Sequence, residues 1–157
     1  MSKTPKISAL SIFLNSEEDS HEVATINSIG QSPMSNEAEI CEAPKVRNQN
    51  YLKQFFDENE WKIYTNLINK SEVKTSSMGR FFDAVSFILG FEKPIFFEGE
   101  SAMWLEKISQ EAFENNIKII DYLEEEKFEN IPTKKLFSRI LKEKMSGKNT
   151  GEIGLNF

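Results

Sequence analysis

Two short segments carry the residue types and spacing that could do chemistry. In the first, Thr75-Ser76-Ser77-Met78-Gly79-Arg80-Phe81-Phe82-Asp83-Ala84-Val85, the apolar residues Met78, Phe81, Phe82, Val85, Ile88 and Leu89 repeat at helical spacing. With that stripe on a core, Ser76, Gly79 and Asp83 line a different face, three and four residues apart. A glycine costs roughly 1 kcal/mol relative to alanine inside a helix, and one turn before a carboxylate it leaves room for a molecule against the backbone. An aspartate on such a face can accept hydrogen bonds from a pair of sugar hydroxyls. The plainer reading pairs Arg80 with Asp83 at the surface and uses Gly79 for close helix packing; spacing alone favours it.

The second segment is Phe97-Glu98-Gly99-Glu100-Ser101, leading into a helix. Backbone N–H groups at a helix start, with a glycine allowing close approach, can hold a polar or anionic ligand. Two carboxylates there disfavour a bare phosphate and suit a hydroxyl-bearing ligand. The competing reading has Glu98 and Glu100 complementing the helix dipole while Ser101 caps the helix. His21 and Cys41 stand isolated in a polar stretch, and Trp61, Tyr64 and Trp104 read as packing residues. Lys134, Lys135, Arg139, Lys142 and Lys144 give one helix a basic, solvated side.

The elements that must position these residues follow from patterning. Among the aromatic residues only Phe13 precedes Tyr51. Ile7 to Leu14 is a short apolar run that fits a strand or a buried helical turn. Residues 15–50 are rich in Ser, Asn and Glu, and predict a long loop or disordered insert, because they bury too little surface to offset ordering entropy. Asp57 and Glu60 have capping-box spacing ahead of a helix with Trp61, Tyr64, Leu67 and Ile68 on one face. Ser76 or Ser77 caps the next helix and Gly90 stops it. Ile95-Phe96-Phe97 reads as a short strand, and Gly99 leads into a helix carrying Ala102, Leu105, Ile108, Ala112 and Phe113. Ile117 to Leu123 reads as a strand before the acidic loop at Glu124-Glu125-Glu126. Thr133 caps a helix with Leu136, Phe137, Ile140, Leu141 and Met145, closed by Gly147. Asn149 or Thr150 then caps another, whose apolar pattern halts at Phe157, as in a partial domain. The fold class expected is mixed α/β, predominantly helical.

Composition narrows the function classes. The 157 residues, at 18.1 kDa, suit one domain or part of one. A net charge of −6 provides no general basic field for a nucleic-acid backbone. One Cys and one His exclude a zinc cluster, a CxxC pair and a disulfide framework. No apolar run approaches the ~20 residues that cross a bilayer, and the opening residues do not read as a secretory signal. The expectation is a soluble cytoplasmic protein with no nucleic-acid or membrane partner.

Taken together the segments resemble a known family. Ser76 to Val85, then Leu89-Gly90-Phe91, then Phe97-Glu98-Gly99-Glu100-Ser101-Ala102-Met103-Trp104-Leu105-Glu106 are similar to the C-terminal region of HypF-type carbamoyltransferases of hydrogenase maturation. The family pattern is approximately SSMGRLFDAVAALLGL, a variable gap, then YEGQAAMELE. More loosely, Lys3 to Phe13 resembles the family's REPxxxALS stretch, and Glu152 to Phe157 the start of IAARFHxxLA, so the resemblance extends over residues 1–157 and is weakest at 15–50.

The resemblance implies a partial actin-like ATPase domain, related to the tRNA threonylcarbamoyl transferase, within an enzyme using carbamoyl phosphate and ATP. In such enzymes a YrdC-like domain makes carbamoyl-adenylate. The C-terminal domain then passes the carbamoyl group to the C-terminal cysteine of a HypE-type partner, as the precursor of a cyanide ligand in nickel–iron hydrogenase. Carried over by motif position, the adenylate contacts are Asp83 and the turn at Glu98, Gly99 and Glu100, beside Gly79 and Ser76. The sequence departs from the pattern at Glu100, usually Gln, and at Phe97, usually Tyr. The family's metal ion, zinc or iron, is held by a histidine cluster that this sequence lacks, so transfer by the chain alone is not expected. Two alternatives are another carbamoyl or threonylcarbamoyl transferase of the superfamily, and a non-catalytic helical interaction module.

Overall fold

The computed structural model describes residues 4–17, 44–72, 77–123 and 130–157. Among them run seven helices: α1 (Pro5–Glu17), α2 (Pro44–Lys53), α3 (Glu58–Lys70), α4 (Met78–Leu89), α5 (Glu100–Glu114), α6 (Thr133–Met145) and α7 (Thr150–Asn156). Helix α4 is central because apolar residues leave it on nearly every side: Phe81, Ala84, Val85, Phe87, Ile88 and Leu89 are all buried. Helices α1, α5, α6 and α7 pack on it. Ala9, Leu10 and Phe13 supply the buried face of α1, so the Ile7–Leu14 run is helix rather than strand. Leu136, Phe137, Ile140 and Leu141 form the corresponding face of α6, at spacings of one, three and one.

Helix α7 reaches α5 at backbone range. A Cβ at Gly151 would lie 2.8 Å from the Ile108 carbonyl oxygen, and one at Gly154 would lie 2.8 Å from Ser109 Oγ. The side chain of Asn149 caps α7, accepting the Gly151 and Glu152 amides at 2.9 and 3.2 Å. The Phe157 ring then stands edge-on to Phe81 and Phe82. Helix α3 is held more lightly. Its capping box forms as the spacing predicts: Asp57 accepts the Asn59 and Glu60 amides at 2.8 Å, and the Glu60 carboxylate accepts the Asp57 amide. Trp61 and Tyr64 lie edge-on to Phe56, but no α3 residue is buried, and Leu67, expected on the packed face, is exposed beside Ile63.

The structure corrects several expectations. Among the described residues there is no strand, so the α/β assignment gives way to an all-helical one. At 95–97 only Ile95 makes an isolated bridge; Pro94 has no amide hydrogen, and the Phe96 N–H is taken by the Glu100 carboxylate at 2.7 Å. At 117–123 side chains again capture the ladder donors: Asn156 accepts the Ile120 N–H and Asp121 the Leu123 N–H, both at 2.7 Å. Thr133 is the first residue of α6 and Pro132 its N-cap, with no side-chain cap. The stretch read as a loop over 15–50 begins inside α1 and ends inside α2, with 18–43 outside the described residues. No helix is long and apolar enough to cross a membrane among the described residues.

Candidate functional site

Asp83 is the natural starting point, because a carboxylate only 8% exposed needs hydrogen-bond donors. Two reach it from different directions. Ser101 Oγ, at the start of α5, donates to Oδ1 at 2.5 Å. Arg80 Nη1, one turn earlier on α4, donates to Oδ2 at 3.3 Å. Ser86 adds a third bond between the helices, its hydroxyl donating to the Ser101 carbonyl at 2.9 Å. The two serines are 0% and 1% exposed. A polar stitch of Asp83, Ser101 and Ser86 thus joins α4 to α5 inside an otherwise apolar contact.

The two carboxylate oxygens differ. Oδ1 is committed to a buried hydroxyl. Oδ2 faces a guanidinium whose side chain is 38% exposed, at a distance in the loose part of the N–H···O range. Asp83 is itself buried, so Oδ2 needs a donor, and Arg80 is the longer and more exposed of its two partners. The pairing foreseen for Arg80 and Asp83 is present, but with Asp83 buried rather than at the surface, and the close packing foreseen for Gly79 is not. Gly79 is exposed, and a Cβ there would meet only Ser77 Oγ at 3.7 Å.

Gly99 sits two residues before Ser101, as the N-cap of α5, with φ +84°. That left-handed conformation favours glycine, and a Cβ there would meet nothing within 4 Å among the described residues. Gly99 thus lies two residues from the serine that bonds Asp83, and among the described residues the Cβ positions of Gly79 and Gly99 are uncrowded. Glu98 is exposed at the same turn. Glu100 is engaged elsewhere. Its carboxylate turns back over the preceding loop, accepting the Phe96 amide and lying 3.4 Å from Lys93 Nζ. The Phe96 amide first, then Lys93, hold its carboxyl below the ordinary carboxylate range, against a smaller opposing effect of burial. Ser101 does not cap α5, since its hydroxyl goes to Asp83. Ser76, His21 and Cys41 lie outside the described residues.

A second polar cluster joins the 117–123 segment, α6 and α7. Glu143 is its hub: the Tyr122 hydroxyl and Lys148 Nζ, the latter at 3.0 Å, reach Oε2, and Arg139 Nε reaches Oε1 at 3.4 Å. Burial pushes the Glu143 carboxyl up, but hydrogen bonds from Tyr122, Lys148 and Arg139 outweigh it and leave it lowered. Burial, then the Glu143 carboxylate, push the Tyr122 phenol up. Arg139 lies 4.1 Å over the Tyr122 ring, so one member of the basic α6 side is spent on packing. Sequence reasoning missed this cluster because its members are scattered and carry no shared pattern. It also missed Ser101 as the partner of Asp83, although a signal existed. Ser101 falls on the same stripe as Leu105, Ile108 and Ala112, and a hydroxyl on a buried stripe needs a partner. Among the described residues no three His, Cys, Asp or Glu side chains gather where they could hold a metal ion.

Residues 25–157 match the family model described as the carbamoyltransferase, Kae1-like domain, second subdomain. The chain belongs to that family. The matched range holds both the Asp83 stitch and the Gly99 turn, and α2 to α7 with them; α1 precedes it. Comparisons with curated proteins and with solved structures give no match. As a Kae1-like carbamoyltransferase subdomain, the chain has transferase kinship, and its mostly helical architecture fits that membership.

Proposed function

We propose that this chain forms the nucleoside-binding wall of a HypF-type carbamoyltransferase with an actin-like ATPase domain. The enzyme takes carbamoyl phosphate and ATP through carbamoyl-adenylate and carbamoylates the C-terminal cysteine of a HypE-type partner in hydrogenase maturation. In the transfer step the partner's thiolate attacks the carbamoyl carbon, a C–S bond forms, the C–O bond to the adenylate phosphate breaks, and AMP leaves. The part assigned to this chain is binding and orientation, which lowers the barrier by fixing the reacting group in place.

The observation that supports this reading is the unequal treatment of the two Asp83 oxygens beside Gly99. Oδ1 accepts from Ser101 at 2.5 Å, while among the described residues Oδ2 meets the longer, more exposed Arg80 at 3.3 Å. Oδ2 is suited to accept a ribose hydroxyl, with Gly79 and Gly99 leaving the backbone open beside it and Glu98 on the rim. Glu100 acts on the loop rather than on the ligand. The described residues bring together no donor set for the zinc or iron implied by the resemblance, and no step is routed through a metal. The test is an Asp83→Ala change in the enzyme assembled around this chain. Carbamoyl adduct on the partner's C-terminal peptide, followed by mass spectrometry, falls at least tenfold under the proposal; unchanged adduct formation overturns it.

A further inference from the structure

We propose that Ser101, braced by Ser86, is a positioning residue that orients the Asp83 carboxylate and thereby sets a preference for ribose over deoxyribose ligands. This rests on the reading of Asp83 as the hydroxyl acceptor. A carboxylate turns easily about its last side-chain bond, a broad and roughly two-fold torsion. An untethered Asp83 would share its lone pairs among Arg80, water and ligand in changing orientations. The 2.5 Å bond from Ser101 Oγ removes that freedom at Oδ1 and turns Oδ2 toward Arg80. The bond from Ser86 to the Ser101 carbonyl pins the backbone that carries the tether.

Helix packing alone does not call for this arrangement. A contact between α4 and α5 without a carboxylate at 83 is satisfied by alanine at both serine positions; with Asp83 present, Ser101 Oγ serves its Oδ1 and Ser86 Oγ serves the Ser101 carbonyl. Here three polar side chains converge in an apolar contact, and the third is a buried carboxylate whose second oxygen, Oδ2, meets Arg80. Orientation of that oxygen is what the two hydroxyls add.

The experiment compares AMP with 2′,3′-dideoxy-AMP by titration calorimetry on the full chain. The unaltered protein prefers AMP by roughly tenfold, the worth of one hydrogen bond to a charged group. Asp83→Asn removes the preference. Ser101→Ala lowers it to within about twofold while the helical circular-dichroism signal persists, whereas a merely structural role would weaken both ligands equally. Ser101→Cys keeps the volume with a poor donor and is read in the same way if Ser101→Ala does not fold. Preference retained in a folded Ser101 variant overturns the positioning role and leaves the Asp83 reading standing. Failure of both variants to fold makes the tether structural and also overturns it. No ribose preference in the unaltered protein removes the Asp83 reading itself.

Discussion

Among the described residues two carboxylates gather polar partners by different rules, Asp83 buried and Glu143 half-buried. At Glu143 both oxygens are taken: Oε2 by Tyr122 and Lys148, Oε1 by Arg139, with Arg139 also covering the Tyr122 ring. That cluster is a latch, tying the 117–123 segment to α6 and, through Lys148 and its second partner Glu152 at 3.0 Å, to α7. At Asp83 Ser101 takes Oδ1 and Arg80 meets Oδ2 at 3.3 Å, much as Arg139 meets Glu143 Oε1 at 3.4 Å, and the difference lies in the glycine turn two residues before Ser101. The difference teaches what separates a structural carboxylate from a binding one. Hydrogen bonding and an arginine partner are common to both, and the distinguishing feature is the left-handed glycine turn beside the Asp83 tether, whose Cβ position is open among the described residues.

The largest disruption comes from α7, whose Asn156 and Glu152 serve the latch and whose backbone lies on α5. Gly151→Val sets a branched side chain against the Ile108 carbonyl, where a Cβ alone would already sit at 2.8 Å. Such overpacking costs about 3 kcal/mol, and urea unfolding should show a free-energy loss of that size as a lower midpoint at unchanged slope. Next, Glu143→Ala strands the Tyr122 hydroxyl without its acceptor and should cost about 2 kcal/mol, yet leave nucleotide binding unchanged. A loss of nucleotide affinity in that variant would merge the two clusters functionally and end the contrast.

The latch also has a pH signature with a definite sign. The Glu143 carboxyl is lowered in the folded chain, so its contribution is present above the ordinary value of 4.5 and is lost as pH falls through the folded one. The Tyr122 phenol is raised, so its contribution is complete below 10.0 and is lost as pH rises beyond it. Thermal melts across pH should therefore fall at both ends, with Glu143→Gln flattening the acid side and Tyr122→Phe the alkaline side. The smallest effect is expected at Gly79. Its Cβ position is open to Ser77 Oγ at 3.7 Å, so Gly79→Ala should raise stability by about 0.5–1 kcal/mol through helix propensity. The same change should weaken AMP binding, since the added methyl group narrows the open backbone beside Asp83.

Much of this was legible in the residues themselves. The stripe of α4, the stop at Gly90 and the Asp57 capping box follow from local pattern, whereas the pairing of Asp83 with the Gly99 turn comes from the family resemblance. What the pattern could not reveal depends on distant partners. Phe96 and Ile120 sit in runs that look like strands, but carboxylate and amide side chains from Glu100 and Asn156 claim their N–H groups. Leu67 has the right period for a packed face, yet no neighbouring helix covers it among the described residues. Glu100 looked equivalent to Glu98 within the motif, and only the loop geometry at Lys93 and Phe96 separates them. The tie from Ser101 to Asp83 spans eighteen residues, beyond any local period.

The most direct test of the central claim is a titration of the isotopically labelled chain with AMP, followed by amide resonances. Saturable shifts are predicted at Gly79, Gly99 and Ser101, with Tyr122 and Glu143 unmoved, and Asp83→Asn should weaken the saturation about tenfold. Resonances at Gly79 and Gly99 that stay fixed at saturating AMP, or that move equally in the Asp83→Asn chain, would contradict it.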